Sequence, residues 1–241
     1  LLAGPDGWFE IDPLTWIFRT YGRFAPLQRT DAGLELRLPG AALTEGDRWS
    51  VPGVPAFVVA LLWATTFDGL VSTPLVQDLA SPMLRAGVPG PLLYLAVLLV
   101  GFGLFYWVYR VACRRSRTAA DTYVTGVAIE RWFAPSLVPI AVGYHLAHFI
   151  GYVVSLAPAF LAAVRSPIVP PPTVPILVLP DWFGLVQLSF VLVGHLFAIW
   201  VAHSIAFHRF PGVIQPIRSQ YPMILVLIGY TMVSAWVLVS P

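Results

Sequence analysis

Ser136-Leu137-Val138-Pro139-Ile140-Ala141-Val142-Gly143-Tyr144-His145-Leu146-Ala147-His148-Phe149-Ile150-Gly151-Tyr152-Val153-Val154-Ser155 contains no Asp, Glu, Lys or Arg. At about 1.5 Å per residue, a helix of this length crosses the roughly 30 Å of hydrocarbon in a bilayer. Five polar side chains interrupt the apolar run: Tyr144, His145, His148, Tyr152 and Ser155. At about 100° per residue they share one stripe about 100° wide. Such a stripe faces other helices while the remaining surface faces lipid. An ionisable group at mid-membrane costs roughly 2.5–3.5 kcal/mol on insertion scales, so its presence calls for a partner.

The rest of the chain agrees with this reading. Of 241 residues, 58% are hydrophobic and 11% charged, and the mean hydropathy is +0.77. Soluble domains run near 45–50% apolar and about 25% charged. An ordinary soluble globule and a disordered chain are thereby excluded. The expected fold is an all-α integral membrane bundle of five transmembrane helices. They are expected at about 54–76, 91–113, 135–158, 183–207 and 221–240, within a membrane domain at 53–241. Pro135 and Pro139 fall in the first turns of the third span, Pro158 predicts a break near its end, and Pro222 suits the first turn of the fifth. Gly101 and Gly103 suit close helix packing. Tyr106, Trp107 and Tyr109 read as an interfacial belt.

Residues 1–52 carry seven acids and five arginines and form a short extramembrane segment. Turns are expected at Asp12-Pro13 and Arg23–Pro26, and a strand at Leu34–Leu38. All fourteen basic residues are arginine, and the net charge of +2 gives no case for nucleic acid. Cys113 is the one cysteine, which excludes an internal disulfide. Arg114, Arg115, Arg117 and Arg131 fall in one connection, and Arg209 and Arg218 in another; Arg85 and Arg165 are alone in theirs. The positive-inside rule places the arginine-rich links and the N-terminal segment in the cytoplasm, the C-terminus outside, and the protein in the plasma membrane. The loop with Pro167, Pro170, Pro171, Pro172, Pro175 and Pro180 is expected to be stiff and extended. The opening residues do not form a signal peptide, and the absent Met predicts either further chain upstream of Leu1 or a start exposed by processing.

The chemistry-bearing residues lie within the spans. His145 and His148 sit mid-way along the third, and His195 mid-way along the fourth. Asp68 is the one acid well inside any span. Similar depths predict a midplane cluster of Asp68, His145, His148 and His195. Imidazoles with a carboxylate suit a divalent transition metal such as Zn, Fe or Cu. Asp68 is the candidate catalytic base. His148 and His195, with Ala147, Gly151, Gly194 and Ala198 beside them, are candidate axial ligands of a b-type haem. The same residues also suit a proton relay, a proton or metal transporter, or a helix-packing network. His203 is expected to serve packing, and His208 to sit at the interface. Neither G-x-S-x-G, a Walker A loop nor H-E-x-x-H is present.

Ser136–His148, Thr65-Thr66-Phe67-Asp68-Gly69, Gly194-His195, Ala202-His203 and Arg23-Phe24-Ala25-Pro26-Leu27 together resemble a family of polytopic membrane proteins from actinobacteria and haloarchaea, the fenitrothion hydrolase-like proteins. The resemblance covers most of the chain. It implies a C-terminal portion of a longer protein with further membrane helices upstream. It also implies hydrolysis of an organophosphate-type ester, in which a His/Asp-bound metal would activate water. The partners expected are the bilayer and either other membrane subunits or an upstream membrane half. A redox or respiratory-type subunit remains the alternative.

Overall fold

Asp12 is the first described residue. A computed structural model describes residues 12–45, 52–169 and 173–240. The Asp12 carboxylate accepts the N–H groups of Leu14 at 3.1 Å and Thr15 at 3.0 Å and caps α1 (Pro13–Gly22). A short antiparallel hairpin follows, β1 (Leu27–Thr30) with β2 (Gly33–Leu36), Leu27 opposite Leu36. The expected strand near Leu34 is therefore present, ending at Leu36. A 3₁₀ turn at Ala41–Leu43 buries Leu43.

Among the described residues, five helices are long and apolar enough to cross a membrane. The first is α2 (Val54–Val71), and α4 (Gly90–Ala119) is the second. α5 (Gly126–Phe133) runs through a 3₁₀ turn at Ala134–Leu137 into α6 (Val138–Arg165). α7 (Phe183–Arg209) and α8 (Ile214–Val239) complete the bundle. Five expected spans are present, with shifted ends. The first stops at Val71, because Ser72-Thr73-Pro74 ends it and starts α3 (Pro74–Arg85). α3 is amphipathic, with Leu75, Leu79 and Met83 exposed along one side, the pattern of a helix lying in a membrane interface. Pro158 does not break α6; it sits inside a continuous helix. Pro222 likewise lies inside α8, which begins two turns earlier at Ile214. Tyr109 is not part of a lipid-facing belt. It is fully buried, and its hydroxyl donates to the Glu130 carbonyl at 2.5 Å, whereas Trp107 is exposed.

Side-chain shape sets the packing. The Trp63 ring of α2 fills the notch at Gly101 on α4, where a Cβ would stand 1.9 Å from it. Its indole N–H donates to the Leu98 carbonyl at 2.8 Å. Phe105 continues the stack from Trp63 (4.8 Å between centroids) to Tyr230 of α8 (4.6 Å). On the other side α6 and α7 touch backbone to backbone. A Cβ on Gly143 would lie 2.6 Å from the Phe190 carbonyl, and one on Gly194 would lie 2.6 Å from the Pro139 carbonyl. Lipid tails are as apolar as leucine, so this close fit, not burial from water, holds the helices together. The proline-rich connection is strapped to α6: Leu177 N–H donates to the Ser155 carbonyl at 2.9 Å, and the Ser155 hydroxyl donates to the Leu177 carbonyl at 2.7 Å. Pro170, Pro171 and Pro172 lie outside the described residues, as do 1–11 and 46–51 of the N-terminal segment.

Candidate functional site

The Gly143–Gly194 contact fixes α7 against α6, one residue from Tyr144 and one from His195. α2 packs on the same helix and brings Asp68 to it. The Asp68 carboxylate stands 2.7 Å from His148 Nε2. Tyr144, one turn below His148, lies nearly parallel to it at 6.4 Å between centroids. The Tyr144 hydroxyl is seated against Gly69, where a Cβ would come within 2.7 Å. Gly69 therefore lets Tyr144 reach the residue next to Asp68. Phe149 and Tyr152 close around the imidazole edge-on, at 4.9 and 5.9 Å. The Asp68 side chain is 62% exposed and that of His148 21%. The pair thus opens to the outside of the bundle on its aspartate side. It does not sit at mid-helix on α2. Because that helix stops at Val71, Asp68 occupies its last turn, roughly 4.5 Å from the end.

The tautomers follow from the partners. A carbonyl only accepts, so an imidazole nitrogen beside one carries the proton. His195 Nδ1 donates to the Val191 carbonyl at 2.7 Å, and His208 Nδ1 to that of Ser204 at 2.6 Å. His145 Nδ1 donates to the Ala141 carbonyl at 2.9 Å, with the Tyr21 hydroxyl oxygen also within 2.8 Å. His203 Nδ1 meets the Gln220 side-chain oxygen at 3.0 Å, and the Gln220 amide is held by donating to the Pro216 carbonyl at 2.9 Å. His203 is thus an α7–α8 packing contact, as expected. His148 is the exception. A carboxylate accepts, so Nε2 carries its proton and Nδ1 keeps the basic lone pair.

Of the four residues expected to gather, two do. Asp68 and His148 hold each other. His145 faces Tyr21 of α1, 124 residues away in sequence. His195 is 5% exposed, and its Nε2 is buried without a hydrogen-bond partner. Among the described residues, no group of three or more His, Cys, Asp and Glu side chains stands where it could hold a metal ion. As arranged, these side chains do not fit a single metal sphere. A haem between His148 and His195 meets a steric obstacle as well, because α6 and α7 touch through their backbones at Gly143 and Gly194. Sequence reasoning missed Tyr21, for which no local signal exists. It also missed the Gly143–Gly194 contact, although a glycine next to each polar motif was a usable clue.

The fold defines a polytopic, helical membrane protein with a His–Asp pair facing out of the bundle. Compared with known proteins, the chain matches no family model, no curated protein and no solved structure.

Proposed function

We propose that this polytopic membrane protein is a hydrolase of apolar esters in which the His148–Asp68 pair activates water. The observation that carries the reading is the 2.7 Å contact between His148 Nε2 and the Asp68 carboxylate. It leaves Nδ1 as the base and places a carboxylate where imidazolium charge develops. In the proposed step the water oxygen bonds to the phosphoryl or acyl centre while Nδ1 takes a water proton. The ester oxygen then leaves and receives that proton, so one water and one ester give an acid and an alcohol. Exposed Phe149, Tyr152 and Val153 line an approach for a substrate dissolved in hydrocarbon. The resemblance to fenitrothion hydrolase-like proteins supplies the substrate class, a phosphotriester.

A metal-assisted form of the same hydrolysis is the second reading, and His195 favours it. Its Nδ1 is anchored on a carbonyl while its buried Nε2 offers a free lone pair, the state in which a histidine ligates Zn, Fe or Cu. That form requires His148 to exchange Asp68 for the ion and His145 to turn from Tyr21.

The test is turnover of a p-nitrophenyl phosphotriester by protein purified in mild detergent, with metal content measured on the same sample. Asp68→Asn is expected to lower kcat by about 10²–10⁴-fold, the range for a general base and its support, and His148→Gln to abolish turnover. Activity that survives a chelator supports the unassisted pair; loss on chelation and recovery with Zn selects the metal form. Full activity in Asp68→Asn removes the pair from the reaction.

A further inference from the structure

A second polar feature lies at the opposite, arginine-rich end. Two residues past the end of α4, Asp121 adopts a left-handed backbone (φ 48°) and the chain turns back so that α5 lies against the last turns of α4. Between them is an open cleft of about 570 Å³, lined by Arg110, Arg114, Arg117, Asp121 and Glu130 among others. Arg110 Nε donates to Glu130 at 3.1 Å, so these two charges offset each other. The guanidinium groups of Arg114 and Arg117 have no hydrogen-bond or ion-pair partner among the described residues, and both residues are exposed. The Arg114 stem packs on the turn at Gly126, 3.7 Å from where a Cβ would stand. With Asp121 opposing them, the two free guanidinium groups leave the cleft with a net positive charge.

The cleft continues an apolar stripe. At about 100° per residue, Val100, Leu104, Trp107 and Arg114 fall within about 80° on one side of α4, and Arg117, which lines the cleft, lies about 60° beyond Arg114. Val100, Leu104 and Trp107 are all well exposed. An acyl chain laid along that stripe would bring its headgroup to the two arginines. Arg115, next in sequence, does not line the cleft.

The geometry points to a binding site for one anionic phospholipid, its phosphate held by Arg114 and Arg117 and its acyl chain lying on Val100, Leu104 and Trp107. A guanidinium grips a phosphate with paired, charge-assisted hydrogen bonds. A free phosphate ion would satisfy the arginines alone and ignore the stripe.

The test titrates detergent-solubilised protein with phosphatidylglycerol, phosphatidylcholine or inorganic phosphate and reads bound lipid by native mass spectrometry and Tm by scanning fluorimetry. Phosphatidylglycerol is expected to bind one per chain and raise Tm. The pair Arg114→Gln with Arg117→Gln is expected to weaken it about tenfold or more, and Arg115→Gln by less than twofold. Trp107→Ala is expected to weaken phosphatidylglycerol without touching the arginines. If the double variant does not fold, Arg117→Gln alone serves, with about a threefold or greater loss expected. Equal losses in Arg115→Gln and Arg117→Gln overturn the site in favour of diffuse surface charge. An equal Tm rise with inorganic phosphate, or equal binding of phosphatidylcholine, overturns the anionic-lipid assignment.

Discussion

His148 differs from the other four histidines in which nitrogen holds its proton. The others each turn Nδ1 to an oxygen acceptor, a helix carbonyl four residues back in three cases and Gln220 in the fourth. Asp68 reverses the arrangement in His148. Nitrogen-15 spectra of histidine-labelled protein are therefore expected to show one Nε2–H tautomer among Nδ1–H forms at high pH, and Asp68→Asn to remove it. His195 tests a different point. A buried nitrogen without a partner stabilises nothing, and losing it releases a desolvation cost of about 1–3 kcal/mol. His195→Phe is expected to leave Tm unchanged or raised if the ring serves packing alone, and to lower metal content if the metal-assisted form operates. A fall in Tm in metal-free protein would mean that the Nδ1 bond to Val191 matters more than the orphan nitrogen. The polar stripe on the third span was legible because helical spacing alone puts Tyr144, His145, His148, Tyr152 and Ser155 on one side. What each one meets was not, because Asp68 and Tyr21 arrive from other parts of the chain.

Individual helices were legible as spans because about twenty uncharged residues have few other places to go. Their ends were not, and the prolines show why. Pro74 starts a helix, whereas Pro158 and Pro222 sit inside continuous ones. A proline inside a membrane helix can be accommodated when neighbours and local adjustment satisfy the freed carbonyl, and that depends on what surrounds it. The helix contacts give a sharper test. At Gly143 and Gly194 an added methyl meets a carbonyl oxygen of the facing helix at 2.6 Å, so the backbones must separate. Gly143→Ala and Gly194→Ala are each expected to cost about 1–3 kcal/mol, the range for overpacking. The measurement is reversible unfolding in mixed micelles. Gly103, with nothing near it, is the control and is expected to accept alanine with little change. At Gly101 the obstacle is the Trp63 ring, whose indole N–H would also lose its carbonyl on being pushed aside.

The whole molecule adds the placement of the N-terminal segment. Its described residues, 12–45, lie along the flank of the bundle. Trp16 meets Phe57 of α2, Phe24 meets Phe197 of α7, and the Tyr21 hydroxyl reaches His145 of α6. Gly40, at a positive φ of 84°, fits beside Trp200 and Val201. Tyr21→Phe removes the polar link to His145 and is expected to increase cleavage of residues 23–38 by a soluble protease while the spans stay intact. Asp12, whose hydrogen bonds to Thr15 lower its pKa, gives the segment a pH dependence. A depressed folded value contributes stability above the ordinary aspartate pKa of about 3.9 and loses it as pH falls through the folded value. Protease sensitivity near α1 is thus expected to rise only below about pH 4. A rise at neutral pH would point to another group.

Composition and periodicity by themselves determined that this chain has the five helices, among its described residues, that are long and apolar enough to cross a membrane, and which side of the third is polar. Those properties follow from length and spacing along one helix, which any stretch of sequence carries locally. Only the tertiary structure decided that Asp68 pairs with His148, that His195 buries its Nε2 without a hydrogen-bond partner, and that Tyr21 crosses 124 positions to reach His145. Partner choice depends on where helices end and how closely they approach. Here those are set by Ser72-Thr73-Pro74 at the end of α2 and by two glycines that let α6 and α7 touch.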